Sequence, residues 1–547
     1  MQIQQDHATP PWLMKSDPES TSENESFRKW LTSGWAITGF VITLFVIAFY
    51  VEEDWRGQAY WQQAQEQIAA EGESLDPNKF IPPPIPDEEN FGSLPLFRES
   101  SPASAAALYA TPVGMQRAFS HIFPNNIPTS SREDVQPNQL PYLGNWTKGE
   151  QPDLPAIKKH LLDLCHREVP RAPVSPNARL SDLFGLLCPA LADLRAANVT
   201  HPLCRLEVDR ESQPPNSRPI GGITSPIQMA RVLSYEERLA LLSDQPQLAG
   251  DDLKVGWKVD SGLRQEPLFI AGLVSMGVVA IQMEVIREGL AKQVWNDQQL
   301  AGIDGDLGKI DYLKESRFCI RADTAVFFIP SADYIKEHRL RIRESFFGAP
   351  PPSSSLGEEM ESFLFSTVVL LIPDGWFDDF KADDVRFQLL GSVKLVDPVS
   401  RRFFPEKEER ALRLIQDARE SSYWRDYLLE LLKPMLQSVK RFAYAQTQID
   451  EARIVCRLER YRLVHGKYPD SLNALVPAYG ADLPHDVMNG QSYHYKMLGD
   501  GTYLLYSVGW DQIDDGGREK VSSTDYHLPS DDPDWVWMNH PDSKKSK

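Results

Sequence analysis

The sequence predicts a mainly α-helical protein with a single N-terminal transmembrane helix. Behind that helix it predicts a Pro-rich irregular region, an α-helical array and a small C-terminal α/β module with an antiparallel hairpin. Three observations carry this expectation. Residues 30–51 contain no charged side chain; 23 of the 42 prolines fall between Pro77 and Pro226; and from Ser225 onward long segments show apolar residues at helical spacing.

The uncharged run, WLTSGWAITGFVITLFVIAFYV, lies between Lys29 and Glu52. As a helix rising 1.5 Å per residue it reaches about 33 Å, enough for a hydrocarbon core of about 30 Å. Trp30, Trp35 and Tyr50 stand near its ends, where interfacial aromatics belong. A cleaved signal would have a shorter apolar region behind a brief basic start and a small-residue cleavage site. Here a polar tail, residues 1–29, precedes the run, and its end reads AFYVEED, without an A-x-A pattern. The run is therefore read as an uncleaved anchor. Lys15, Arg28 and Lys29 precede it, whereas Arg56 alone follows within twenty residues. By the positive-inside rule the N-terminus is cytoplasmic and the bulk of the chain lies outside, in a bacterial setting the inner membrane and periplasm.

The chain has 547 residues with Lys+Arg 57 against Asp+Glu 77, a net charge of −20. A nucleic-acid binder needs a basic footprint, so that class is excluded. The acidity is local: residues 52–99 hold eleven acids against three bases, and residues 511–534 hold eight against two. The five cysteines, Cys165, Cys188, Cys204, Cys319 and Cys456, contain no C-x-x-C, so buried free thiols are expected.

Residues 52–76 read as a polar helix leaving the membrane. The run FIPPPIPDEENF, ending at 91, reads as a stiff spacer up to residue 98. Residues 99–224 form the irregular region that packs on the body, with helices at 153–165 and 181–197 and a strand-like alternation in CRLEVD, 204–209. The body, 225–433, is read as helices at 226–246, 249–263, 266–292, 297–329, 333–346, 379–396 and 406–433. The almost uncharged LFIAGLVSMGVVAIQM, 268–283, is too short between Glu266 and Glu284 to span a bilayer and is read as a buried central helix. FLFSTVVLLI, 363–372, receives the same reading. A helix at 435–465 opens the last module, 434–521. There Tyr493, Tyr495 and Met497 alternate, as do Tyr503, Leu505 and Ser507, across the turn Gly499-Asp500-Gly501, which predicts a hairpin. In the tail, 522–547, Trp535 and Trp537 face one side if extended.

The C-terminal residues also carry a resemblance. Glu459-Arg460-Tyr461, then Gly466-x-Tyr468-Pro469, then Ser507, Gly509 and Asp511 resemble the C-terminal module of type II secretion major pseudopilins, over about 70 residues. That family binds calcium in the loop after its last strand, so the resemblance implies a calcium ion held by Asp511, with Asp514 and Asp515 in reach. The chain departs from the family at the membrane helix: Gly39-Phe40 lies inside the span, and Leu44 stands where a mature pseudopilin has glutamate. The resemblance thus implies a borrowed module and not a fibre subunit. The whole chain is also similar to anchored bacterial envelope proteins of uncharacterised activity.

Catalytic patterns are absent from the sequence: no H-E-x-x-H, no G-x-S-x-G, no Walker A, no G-x-G-x-x-G. DGDLGKIDYLKE, 304–315, matches an EF-hand loop at positions 1, 3 and 12. It fails at 5, 6 and 8, and a helix start explains it better. DGWFDDFKADD, 374–384, packs five aspartates that could serve a glycosidase-like acid and base. The preferred expectation is a non-enzymatic interaction or scaffold protein with an unknown protein partner. The alternatives are an envelope-polymer hydrolase using carboxylates of the body, and a secretion or pilus accessory protein.

Overall fold

The computed structural model describes residues 34–98, 143–144, 150–175, 177–206, 221–339, 367, 370–421, 433–518, 529–531 and 533–537. It is mainly helical, with one long apolar N-terminal helix and a three-stranded antiparallel sheet near the C-terminus.

Helix α1, Gly34–Ala70, runs unbroken for 37 residues. The expected anchor and the expected polar exit helix are therefore one rod, about 55 Å long. No break separates them because residues 50–56 contain neither proline nor a capping signal. Its apolar half is uncovered, and beyond Val51 its inner face is buried through Glu53, Gly57, Ala64 and Ile68.

The Pro-rich segment is folded onto the body and does not stand out as a spacer. Phe80, Phe91 and Phe97 are buried. The Phe91 amide donates to the Leu203 carbonyl at 2.8 Å, and the Leu203 amide donates to that of Glu89 at 3.0 Å. Arg205 donates to the Pro82 carbonyl at 2.8 Å. Three buried phenylalanines favour docking, at roughly 1.5–3 kcal/mol of apolar burial each, over a solvated polyproline rod. Near the expected strand 204–209, the Asn90–Leu203 bridge is the pairing found among the described residues.

Helices α2 (Leu154–Glu168), α3 (Leu180–Leu187) and α4 (Ala190–Thr200) follow. The single helix expected at 181–197 is split at Cys188-Pro189, where proline cannot donate to the helix ladder. They pack against α5 (Pro226–Leu242), α6 (Pro246–Leu263) and α7 (Phe269–Ala291) around one apolar core. Helix α7 is apolar on every side because it serves two cores. Ala271, Val274 and Val278 face the first, and Phe269, Val279, Met283 and Ile286 face the second.

The second core is larger and joins α8 (Asp297–Leu307), α9 (Tyr312–Asp323), α13 (Lys433–His465) and the C-terminal sheet. The helix expected over 297–329 is thus two, divided by a turn at Gly308. Asp311 caps α9, its carboxylate accepting from the Lys314 amide at 3.2 Å, so the EF-hand-like phrase is a helix end, a turn and a helix start. After α9 a π-helical stretch, Thr324–Phe328, leads into α10 (Ile329–Glu337). Helix α11 spans Asp374–Val385, and α12 spans Glu408–Ser421. Between them β1 (Val396–Asp397) and β2 (Arg402–Phe403) make a small hairpin that the sequence pattern did not suggest.

The C-terminal hairpin pairs β3 (His494–Met497) with β4 (Tyr503–Ser507), Tyr495 opposite Leu505. β5 (Trp535–Val536) adds a third strand, Ser507 opposite Trp535, and both Trp535 and Trp537 are buried. The expected boundary at 433/434 is not a packing boundary. Leu436, Phe442, Ile449 and Leu458 of α13 lie in the same core as Leu313, Val393, Leu505 and Trp535.

Candidate functional site at the membrane-exit junction

The acidic segment 374–384 is a helix laid along α1, and one of its acids, Asp383, bonds to α1 directly. The two helices run parallel. The Gly375 amide donates to Asp54 at 2.9 Å, and Trp376 Nε1 donates to Glu53 at 2.8 Å. Farther along, the Tyr60 hydroxyl donates to Asp383 at 2.8 Å, and Arg386 donates to Gln67 at 2.8 Å with its guanidinium 4.0 Å from the Tyr60 ring centre. Asp378 pairs with Lys336 at 2.8 Å and with Lys381 at 2.9 Å, and Lys381 Nζ lies 4.9 Å from the Trp61 ring centre. Glu73, just past the end of α1, is 3.4 Å from Arg317 and 2.5 Å from Arg321. Two glycines allow this approach: a Cβ on Gly57 would enter the Gly375 backbone, and one on Gly375 would enter that of Glu53. An isolated glycine in an otherwise side-chain-rich helix was the sequence signal for Gly57.

Pro373 precedes α11, and the chain before it stays beside α1. The Tyr50 hydroxyl donates to the Leu371 carbonyl at 2.6 Å, and Arg339 donates to that of Ile372 at 2.5 Å. Thr367 and Leu370 are helical, as expected of 363–372, but they and Leu371 are exposed, so the expected burial fails for these residues; the others up to 369 lie outside the described residues. Among the described residues their neighbour on α1 is Tyr50, in the uncovered apolar half of that helix.

The calcium expectation names Asp511, Asp514 and Asp515, and the structure places all three on the loop that follows β4. Asp511 accepts from the Ile513 amide at 3.0 Å. Asp514 accepts from the Tyr506 hydroxyl and the Gly516 amide, both at 2.9 Å, and those bonds hold its carboxyl below the usual range. Asp515 contributes its amide, at 3.4 Å, to Asp534. Asp534 is the organiser of this loop: it is buried and also accepts from Gly517 at 2.8 Å and Arg518 at 3.2 Å. Asp486 does similar work below it, accepting from Ser507 and Met488, each at 2.9 Å. Among the described residues no three His, Cys, Asp or Glu side chains are arranged to hold a metal. The Asp511, Asp514 and Asp534 carboxylates accept from amides of this loop, a use of acids that their density in the sequence does not distinguish from a ligand set.

All five cysteines are free and buried. Several carboxylates are buried as well. Burial raises Asp323 to about 6, against the bond it accepts from the Phe269 amide at 2.9 Å. Burial likewise raises Glu315 to about 7 despite Arg264, and Asp450 to about 7 despite Arg401 and Arg453. Because each folded-state pKa lies above its unfolded value, the stabilisation is fully present below about pH 4 and is lost as pH rises to about 7. The protein is therefore expected to unfold at a lower temperature at pH 8 than at pH 5.5. Asp450→Asn should flatten that dependence by up to about 1.4 kcal/mol per pH unit. An identical slope in the variant would refute the assignment to Asp450.

The fold and the junction define a class: a mainly α-helical protein whose N-terminal apolar helix fits a membrane anchor and is built into its body. Comparison with known proteins finds no matching family model, no matching curated protein and no matching solved structure.

Proposed function

We propose that the chain is a single-pass membrane protein, N-terminus cytoplasmic and body periplasmic, that acts as a scaffold holding a protein-binding surface at a fixed pose above the bilayer. The observation that carries this reading is the continuity of α1. Its first half is apolar and uncovered, and its second half is a structural helix of the body, bonded to α11 along its length. A flexible tether would leave the body free to turn. A rod shared by anchor and body transmits orientation instead.

Three of the aspartates that a hydrolase reading would use have structural partners: Asp374 pairs with Arg339, Asp378 with Lys336 and Lys381, and Asp383 accepts from Tyr60. That favours the scaffold reading over the envelope-polymer hydrolase. The partner belongs to the same proposal and is a protein.

The test is carbonate extraction of membranes containing the full chain, combined with alkaline phosphatase and green fluorescent protein fused in turn to its C-terminus in a bacterial host. The expected result is a carbonate-resistant protein with active phosphatase and dark fluorescent protein. Release by carbonate would overturn the anchor, and a bright fluorescent fusion would overturn the orientation.

A further inference from the structure

The geometry points to a second membrane contact: the turn Leu370–Ile372 sits in the headgroup–acyl boundary of the bilayer beside the point where α1 leaves it. This rests on the anchor reading of α1 and adds to it that the body is clamped to the lipid surface at two places.

Four observations place the turn there. The first is register. Helices α1 and α11 run parallel with paired residues about 322 apart, as in Asp54–Gly375, Tyr60–Asp383 and Tyr50–Leu371. Leu371, just before Pro373, therefore lies beside the end of the apolar half of α1 and not beside its polar half. The second is depth. Side chains of a helix tilt toward its N-terminus, so the Tyr50 hydroxyl reaches back toward the bilayer and meets Leu371 at or below the level of its own Cα. Tyrosine at that position is an interfacial residue.

The third is exposure. Leu371 is 65% exposed and Leu370 is 42% exposed, and the Leu371 carbonyl is bonded to Tyr50 at the end of the uncovered half of α1. Through Tyr50 these residues adjoin the uncovered apolar half of α1, so the occupant that covers that half reaches them too. The fourth is backbone chemistry. Leu371 and Ile372 leave helical geometry after Leu370, and irregular backbone at membrane depth needs protein partners for its polar groups. Both carbonyls before Pro373 have one, Tyr50 for Leu371 and Arg339 for Ile372, and proline has no amide to satisfy. Arg339 is placed to do this from the water side, since it also pairs with Asp374 and lies 4.9 Å from the Phe377 ring centre.

The experiment uses the full chain in vesicles of phosphatidylethanolamine and phosphatidylglycerol. Cysteine is introduced in turn at Leu371, at Phe45 as a bilayer reference, and at Val399, 94% exposed on the body, as a water reference. The native cysteines are buried, so an environment-sensitive fluorophore attaches at the new site. The expected result at Leu371 is blue-shifted emission, quenching by lipid spin-labelled near the headgroup, and loss of the iodide quenching seen at Val399. Iodide quenching equal to that at Val399 would overturn the inference. So would protection from both quenchers, which would mean that another part of the chain covers the turn. Should the Leu371 label lower the unfolding temperature, Leu370→Cys carries the same readout. A Phe45 label that lipid fails to quench sinks the anchor reading, whereas a quenched Phe45 with a watery Leu371 sinks only this contact.

Discussion

Gly57→Leu is expected to destabilise the full-length protein by at least about 3 kcal/mol, because there is no space between α1 and α11 for any side chain. A Cβ on Gly57 collides with backbone atoms of Gly375, and backbone cannot rotate away as a flexible side chain would. Relief requires the helices to separate. That breaks the Trp376–Glu53 and Gly375–Asp54 bonds at the contact, and Tyr60–Asp383 a turn farther on. Thermal unfolding in detergent, with limited proteolysis across 370–375, measures the effect. Gly250→Ala is the control, since nothing lies within 4 Å of a Cβ there and alanine is the better helix former by about 1 kcal/mol. An unfolding temperature for Gly57→Leu equal to that of the parent would show that the two helices do not pack in this way.

The second large effect concerns Asp304. Its carboxylate takes Arg457 Nε at 2.8 Å and Arg453 Nε at 3.0 Å, and so ties α8 to α13 inside the larger core. Arg457 also donates to the Asp482 carbonyl, in the segment leading to the hairpin. Asp304→Asn leaves two guanidinium groups in a site where Arg457 is 4% exposed. Removing one partner of a buried pair typically costs about 3–5 kcal/mol, since the remaining charge stays desolvated. Arg457→Met on its own is damaging for the mirror reason. The double variant Asp304→Asn/Arg457→Met is expected to be more stable than the sum of the two losses, with a coupling of at least about 1 kcal/mol. Urea unfolding of the four proteins measures it, and strict additivity would refute the pairing.

Much of the architecture was legible in residue order. An uncharged run of bilayer length, apolar residues at helical spacing and an alternating pair of segments around Gly499-Asp500-Gly501 are local patterns, and each corresponds to an element in place. The buried helix at 268–283 was legible because it lacks a polar face. The division of 297–329 was not, since Gly308 and Asp311 act through one turn and one cap inside a continuous apolar pattern.

The candidate site was legible only as composition. Five aspartates at 374–384 look the same in sequence whether they face a substrate or a helix, and it is the fold that brings Tyr60 to Asp383 across 323 positions and Lys336 to Asp378 across 42. The Asp/Gly loop is a similar case. Asp511, Asp514 and Asp515 attract attention by their spacing, yet Asp534, beyond a long intervening stretch, gathers the loop amides.

By itself, then, the sequence determined the helical class, the apolar N-terminal segment and the hairpin, because these follow from hydrophobic period and turn chemistry within a few residues. Tertiary structure decided that the apolar segment and the polar helix after it are one rod, that the Pro-rich segment lies down on the body, and that α11 lies along α1. Those outcomes depend on which surfaces meet across some 320 residues of chain, as Tyr50 meets Leu371. Contacts at that separation are set by complementary packing and by the partner each buried charge finds, and neither is written in the local pattern.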